Sequence, residues 1–151
     1  MKTSPAGVLF ISTFEGWRDT TYLDTSKLWT IGYGHLIRPD EQYLLTTRIT
    51  KELGLKLLER DIRLAEDCVA SNTLSFGLEQ HQFNALVSFT FNLGCRTLRN
   101  STLLSRIRKG DKHAIDDILI WNRDKLGVRQ GLIRRRACEW LMYEGREVDL
   151  A

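Results

Sequence analysis

Apolar residues recur along this chain with changing periods, and each change marks a new element. Val8, Ile11 and Phe14 stand three residues apart, behind Ser4 and Pro5 and ahead of Gly16. Ser as N-cap, Pro at the first helical position and Gly just past the end punctuate a helix. Glu15 falls in the last turn of that helix. Residues 17–37 then bring Tyr22, Leu23, Leu28, Trp29, Ile31 and Tyr33, which are strand formers. Between them Asp24-Thr25-Ser26-Lys27 reads as a turn joining two short strands. A period of two sends Trp29, Ile31 and Tyr33 to one face and Leu28, Thr30 and Gly32 to the other, with Thr30 facing out.

From Thr50 to about Ser71 the steps lengthen to 3 and 4, through Leu55, Leu58, Ile62, Ala65 and Val69, with charges on the opposite side. That pattern predicts one long amphipathic helix, able to bridge two lobes. Between Glu79 and Leu93 the apolar residues Phe83, Ala85, Leu86, Val87, Phe89, Phe91 and Leu93 point in nearly every direction. A helix apolar all round belongs in the middle of a bundle, and Gly94 ends it. Shorter helices are expected at about 102–109, 112–122 and 132–143. One helix, a small sheet and then mostly helices make an α+β protein with a minor β lobe and a major α lobe.

Composition narrows the class. A chain of 151 residues with 42% apolar and 27% charged residues fits one soluble domain with a core of its own. Two prolines and no Gly/Ser-rich run leave no linker. The opening MKTSPAGVLFISTFEG has a single Lys, an apolar run broken by Ser12 and Thr13, and no small-residue cleavage site. It does not read as a secretory signal, and no apolar stretch has the ~18 residues of a membrane span. The expectation is a protein made and folded in a cytoplasm. Cys68, Cys95 and Cys138 fit no zinc spacing, and they are expected to be buried small apolar residues in a reducing compartment. His35, His81 and His113 are scattered and suggest no metal site. Residues 1–95 carry 9 basic against 11 acidic side chains, whereas residues 96–146 carry 13 against 6. A basic second half suits an anionic polymer such as cell wall, nucleic acid or a membrane surface, or is simply a solvated helix face.

Glu15 at a helix end, Asp24 on a hairpin turn and Thr30 on the following strand can converge on a cleft. Cleaving a glycosidic bond needs two carboxyl groups, one donating a proton to the leaving oxygen and one ionised. Glu15 stands at the negative end of a helix dipole and beside Phe14 and Trp17, surroundings that disfavour its anion. Taken singly, each of the three residues is a surface carboxylate, a turn residue or a strand former. Their joint pattern with its flanks is more specific.

The stretch FEGWRDTTYLDTSKLWTIGYGH, residues 14–35, closely resembles the catalytic segment of phage lysozymes, the T4-like and lambdoid endolysins of glycoside hydrolase family 24. ALVSFTFNLG at 85–94 is similar to that family's central α-lobe helix, and GLIRRRAC at 131–138 to the start of its arginine-rich C-terminal helix. The resemblance implies a single lysozyme-like, two-lobed domain over 1–151. Its β lobe would span about 17–48, its linking helix about 50–71, and its α lobe about 72–151 with the N-terminal helix. It implies Glu15 as general acid, Asp24 as second carboxylate and Thr30 as the hydroxyl that helps hold the attacking water. Leu36 and Phe91 match substrate-cleft positions, Ser101 or Thr102 is a further candidate, and His35 matches a structural, ion-paired histidine. Of Arg134, Arg135 and Arg136, one pairs with Glu15 or lines the cleft, or else the triplet is a solvated helix start.

The implied activity is lysozyme-type hydrolysis of the β-1,4 bond between N-acetylmuramic acid and N-acetylglucosamine in peptidoglycan, for host cell lysis, with no metal or cofactor. Inversion is favoured, because a Thr hydroxyl makes sense where a water must be held. The alternatives are a lytic transglycosylase and a non-catalytic peptidoglycan-binding module on the same fold. The expected partner is the peptidoglycan glycan strand, with no nucleic acid and no stable membrane insertion, and the protein is expected to be a monomer. It would accumulate in the host cytoplasm and reach the wall through a holin pore.

Overall fold

The first helix, α1 (Pro5–Glu15), begins and ends where its punctuation predicts. Ser4 Oγ accepts the Gly7 N–H at 3.2 Å, and Gly16 takes a positive φ of 71°. Asn84 meets the same start twice, accepting the Ser4 N–H and donating to Ser4 Oγ. The computed structural model describes residues 1–150.

After α1 come strands β1 (Arg18–Leu23), β2 (Trp29–Gly32) and β3 (His35–Leu36), an antiparallel sheet in the order β1-β2-β3. A 3₁₀ segment, Pro39–Thr46, leads to the long helix α2 (Lys51–Asn72). Then follow α3 (Gln80–Leu93), α4 (Cys95–Asn100), α5 (Thr102–Arg108), a 3₁₀ segment Ala114–Ile120, the hairpin β4 (Arg123–Asp124) and β5 (Gly127–Val128), and α6 (Gln130–Tyr143). The chain divides into two compact units, Val8–Arg63 and Met1–Gly7 with the chain from Leu64 on. Most of α1 therefore counts with the sheet, and α2 contributes residues to both units. Among the described residues, no helix is long and apolar enough to cross a membrane.

The sheet unit is built on a core of Ile31, Leu44, Ile49 and Leu57, with Trp17 and Ile37 against it. Trp17 lies between α1 and β1. Its ring centroid is 4.8 Å from that of Tyr33. Gly54 on α2 makes room for it: a Cβ there would come within 2.9 Å of Trp17 Cη2, and closer still to Cζ3. A polar clamp closes the same unit. His35 Nδ1 lies 2.8 Å from Asp61 of α2, and its Nε2 lies 2.7 Å from Glu41 of the first 3₁₀ segment. Glu41 also accepts from the Arg38 N–H and from the guanidiniums of Arg38 and Arg60. With a carboxylate on each ring nitrogen, the imidazole is favoured in its doubly protonated form. The hydrogen bond to Asp61, opposed by burial and aided by Glu41, holds the His35 pKa above its ordinary 6.5. Burial alone would push Glu41 up, but the hydrogen bonds from His35 and the Arg38 backbone hold its carboxyl below the ordinary 4.5.

In the helical unit, the all-round apolar α3 buries every residue from Phe83 to Thr90. Here the arginine triplet is not simply a solvated helix start. Arg134 is exposed, whereas Arg135 and Arg136 are buried with Glu139 one turn further along α6. Glu139 Oε1 accepts from Ser88 Oγ at 2.6 Å, from Arg135 Nε at 3.2 Å and from Arg136 Nη2 at 3.0 Å. Arg136 Nη2 also reaches Asn92, and its guanidinium faces the Phe89 ring at 5.3 Å. Burial pushes the Glu139 carboxyl up, while Arg136, Arg135 and Ser88 pull against it. The spacing Arg-Arg-x-x-Glu sets all three side chains on one helix face, opposite the small Ser88.

The cysteines are corrected too. Cys68 in the last turns of α2 and Cys95 at the start of α4 form a disulfide, and Cys138 is free and buried. The expectation of three reduced thiols fails because α3 reverses the chain and returns residue 95 to the end of α2. Disulfides persist in oxidising surroundings. Periodicity also misses α4, with Leu98 its one buried residue, and the β4–β5 hairpin, whose centre lacks an Asn-Gly signature.

Three outcomes follow from this packing. Replacing His35 by Asn should cost about 3–5 kcal/mol in chemical denaturation, as expected for breaking a buried ion pair. A raised imidazole contributes stability that is whole below 6.5 and lost as pH climbs through the folded value. A lowered carboxyl contributes stability that is whole above 4.5 and lost as pH falls through the folded value. The wild type should therefore be most favoured by this clamp between those two values, and His35→Asn should flatten the profile. Gly54→Ala, which in an open helix stabilises by about 0.5–1 kcal/mol, should instead destabilise by about 1–3 kcal/mol through overpacking on Trp17. Reduction of the disulfide, which links cysteines 27 apart in sequence, should lower stability by about 3–4 kcal/mol on a chain-entropy basis. Melting curves with and without a reductant measure it.

Candidate active site

The β1–β2 hairpin is built to hold one carboxylate. Lys27 N–H donates to Asp24 O at 2.9 Å, Asp24 N–H donates to Leu28 O at 3.0 Å, and Lys27 adopts a left-handed φ of 61°. This is a three-residue hairpin loop of the type I turn plus bulge kind. The Asp24 side chain completes it: Oδ1 accepts the N–H groups of Ser26 and Leu28, both at 2.8 Å. An Asx turn of this sort fixes the carboxyl group's direction. Among the described residues Oδ2 makes no hydrogen bond or ion pair, and the side chain is partly exposed.

Thr30 lies on the next strand. In register, Tyr22 of β1 pairs with Thr30 of β2, and Thr30 pairs with Leu36 of β3. Directly opposed residues share a sheet face, so Tyr22, Thr30 and Leu36 form one row. The Asp24–Leu28 pair continues the β1–β2 ladder two residues beyond Tyr22, on the hairpin side of that row. Thr30 does not face out as the alternation suggests. It is 2% exposed, and its Oγ1 donates to Leu28 O at 2.9 Å. The alternation fails because both faces of β2 are covered from Thr30 to Gly32, while Trp29, which shares a parity with the buried Ile31, is half exposed.

Glu15 is the last residue of α1, partly exposed, and two residues, Gly16 and Trp17, separate it from β1. Trp17, seated over Gly54, anchors that connection to the sheet unit. Glu15, Asp24, Thr30 and Leu36 thus all belong to the Val8–Arg63 unit. Leu36 is 48% exposed, an apolar side chain left in solvent beside Thr30. Phe91 lies near the end of α3 in the helical unit, partly buried. Ser101 is occupied otherwise. It is the buried N-cap of α5, accepting the Leu104 N–H and donating to Leu98 O, whereas Thr102 is exposed. Tyr22 escapes the sequence reading, and only the pairing register, which places it opposite Thr30, brings it to notice. Among the described residues no group of three or more His, Cys, Asp or Glu side chains could hold a metal ion.

Comparison with known proteins identifies the family. The family model described as phage lysozyme matches residues 12–139. The endolysin of Bacillus phage B103 is 36% identical over 149 residues, which cover 95% of this chain and 54% of that protein. The chain thus spans about half the length of that relative. The endolysin of Acyrthosiphon pisum secondary endosymbiont phage 1 is 31% identical, with 95% of this chain and 99% of that protein covered. Among solved structures, the muramidase domain of SpmX from Asticaccaulis excentricus superposes with a TM-score of 0.82 at 33% identity, covering 94% of this chain and 97% of that one. A helical chain with a small antiparallel sheet is shared with that structure, and this chain belongs to the phage lysozyme family.

Proposed function

We propose that the protein is an endolysin muramidase, hydrolysing the β-1,4 bond between N-acetylmuramic acid and N-acetylglucosamine in peptidoglycan. One observation carries the reading: the Asp24 carboxylate, pinned through Oδ1 by two backbone N–H groups, lies two residues along β1 from Tyr22, the strand partner of Thr30. The relatives named endolysin and the muramidase domain support it. Glu15 is the proton donor to the glycosidic oxygen. Asp24 Oδ2 and Thr30 Oγ1 position the water that attacks the anomeric carbon. Because the Thr30 hydroxyl gives its proton to Leu28 O, it is the oxygen's lone pairs that meet the water, so Thr30 acts there as an acceptor. A held water implies inversion at the anomeric carbon. Leu36 and Phe91 serve as sugar contacts, on the strength of the resemblance. No residue in this scheme requires a metal or cofactor.

The site calls for a carboxylate pair and a hydroxyl, which a lytic transglycosylase, working with a single Glu, does not need. In this reading the protein is a monomer acting on glycan strands. It is made in the host cytoplasm and reaches the wall through a holin pore.

Digestion of purified peptidoglycan tests the assignment. Glu15→Gln and Asp24→Asn should each lower the rate by about 10²–10⁴-fold, the range for general acid–base groups. Thr30→Val should lose more than Thr30→Ser, while all four variants keep the wild-type melting temperature within a few degrees. Proton NMR of the first product should show the α anomer, and mass spectrometry should show reducing rather than anhydro-muramic ends. Wild-type protein that leaves peptidoglycan intact would sink the proposal.

A further inference from the structure

The row across the sheet contains one side chain that the proposed reaction leaves unused. Tyr22 pairs with Thr30 from the β1 side, as Leu36 does from the β3 side. It is partly exposed, and among the described residues its hydroxyl has no hydrogen-bond partner. Its ring is instead held by a cation: the Arg18 guanidinium carbon lies 4.6 Å from the ring centroid. Residues four apart on a regular strand are about 13 Å apart. The ladder of β1 on β2 is irregular between Arg18 and Tyr22, and a bulge re-aims the side chains around it. This brings the guanidinium over the ring. Arg18 itself is exposed and makes no ion pair among the described residues. Stacking on an aromatic face uses the charge of a guanidinium but none of its five N–H donors.

An unpaired phenol therefore stands on the strand partner of Thr30, with an unpaired guanidinium over its ring. Together they offer N–H and O–H donors and an apolar ring edge, the mixture that suits a sugar bearing an acid group. We propose that Arg18 and Tyr22 form a subsite for a carboxylate-bearing glycan. Tyr22 packs against a sugar ring and donates its hydroxyl to a sugar oxygen, and Arg18 takes the carboxylate. The inference rests on the muramidase reading of the neighbouring residues and adds to it a basis for preferring peptidoglycan over neutral glycans. Peptidoglycan strands carry carboxylates on their stem peptides and, once those are removed, on the lactyl group. Chitin oligomers carry neither.

Binding separates this proposal from the catalytic one. The probe is the Glu15→Gln protein, co-sedimented with purified peptidoglycan or titrated with chitin oligomers at low salt. Adding Arg18→Gln should weaken peptidoglycan binding roughly tenfold or more, the scale of a charge-assisted bond, and leave chitin binding unchanged. Adding Tyr22→Phe, which keeps the ring and its cation, should weaken both roughly threefold, the scale of a neutral hydrogen bond. Amidase-stripped strands locate the acid: an Arg18 effect that vanishes on them confines the contact to the stem carboxylates, and one that persists shows that the subsite also takes the lactyl carboxylate freed by stripping. In the active protein both changes should raise KM and leave kcat near the wild-type value. Unchanged peptidoglycan affinity in both variants, or an equal Arg18→Gln loss on chitin, overturns the inference, as does a parent protein that does not bind peptidoglycan. A protein that binds as expected while the wild type releases no reducing ends overturns the muramidase reading alone.

Discussion

The sheet unit is organised around the charge on His35. Three separate elements meet at its ring: β3 supplies the imidazole, the first 3₁₀ segment supplies Glu41, and α2 supplies Asp61. The cation neutralises two carboxylates that would otherwise repel each other, and Arg38 and Arg60 share Glu41 with it. Ile31 is the strand partner of His35 and part of the apolar core, so the clamp and the core meet at one rung of the ladder. The next rung is Thr30 with Leu36. A shift of the clamp would therefore be transmitted within one residue to the hydroxyl on which the proposed water depends, which makes the ion pairs more than an accessory to stability.

The helical unit relies on a second buried charge cluster with a different logic. Glu139 has no solvent exposure, and its carboxylate is shared between two arginines and Ser88. An isolated charge at that depth would be costly, and only close pairing makes it tolerable. The cluster fixes the rotation of α6 about its own axis against α3, since turning either helix would separate Glu139 from Ser88. The disulfide from Cys68 to Cys95 ties the end of α2 to the start of α4 on either side of α3. Packing on α3 is therefore constrained both by charge-assisted hydrogen bonds and by a covalent link beside it.

How much of this the sequence discloses depends on how local the cause is. α1, α2 and α3 are legible because capping residues and apolar spacing act within a few residues, and their ends fall within one or two positions of expectation. The β1–β2 turn is legible for the same reason. The exposure of Thr30 is not, because period-two reasoning assumes one solvated face and β2 has neither face free over Thr30, Ile31 and Gly32. The burial of Arg135 and Arg136 is hidden because charge runs are usually solvated. The relevant signal was the Glu three and four residues downstream, read together with a small residue on another helix. The Cys68–Cys95 bond is a long-range consequence of α3 reversing the chain, and no spacing rule reaches it. The registry that lines up Tyr22, Thr30 and Leu36 likewise exists only once the strands are paired.

The same distinction separates the two carboxylates of the site. Asp24 is positioned by its own turn: residues 24–28 contain both N–H groups that hold it, and the left-handed residue Lys27 that closes the loop. Such a device survives change elsewhere in the fold, since it asks for nothing beyond five consecutive residues and a paired hairpin. Glu15 is positioned from outside its own segment. The chain between it and β1 is short, and the anchor in that chain is Trp17, whose ring needs the missing side chain of Gly54, thirty-seven positions away. A motif match over residues 14–35 captures the first arrangement whole and only half of the second. A sequence could thus retain every residue of that motif and still misplace its acid, simply by acquiring a methyl group on α2.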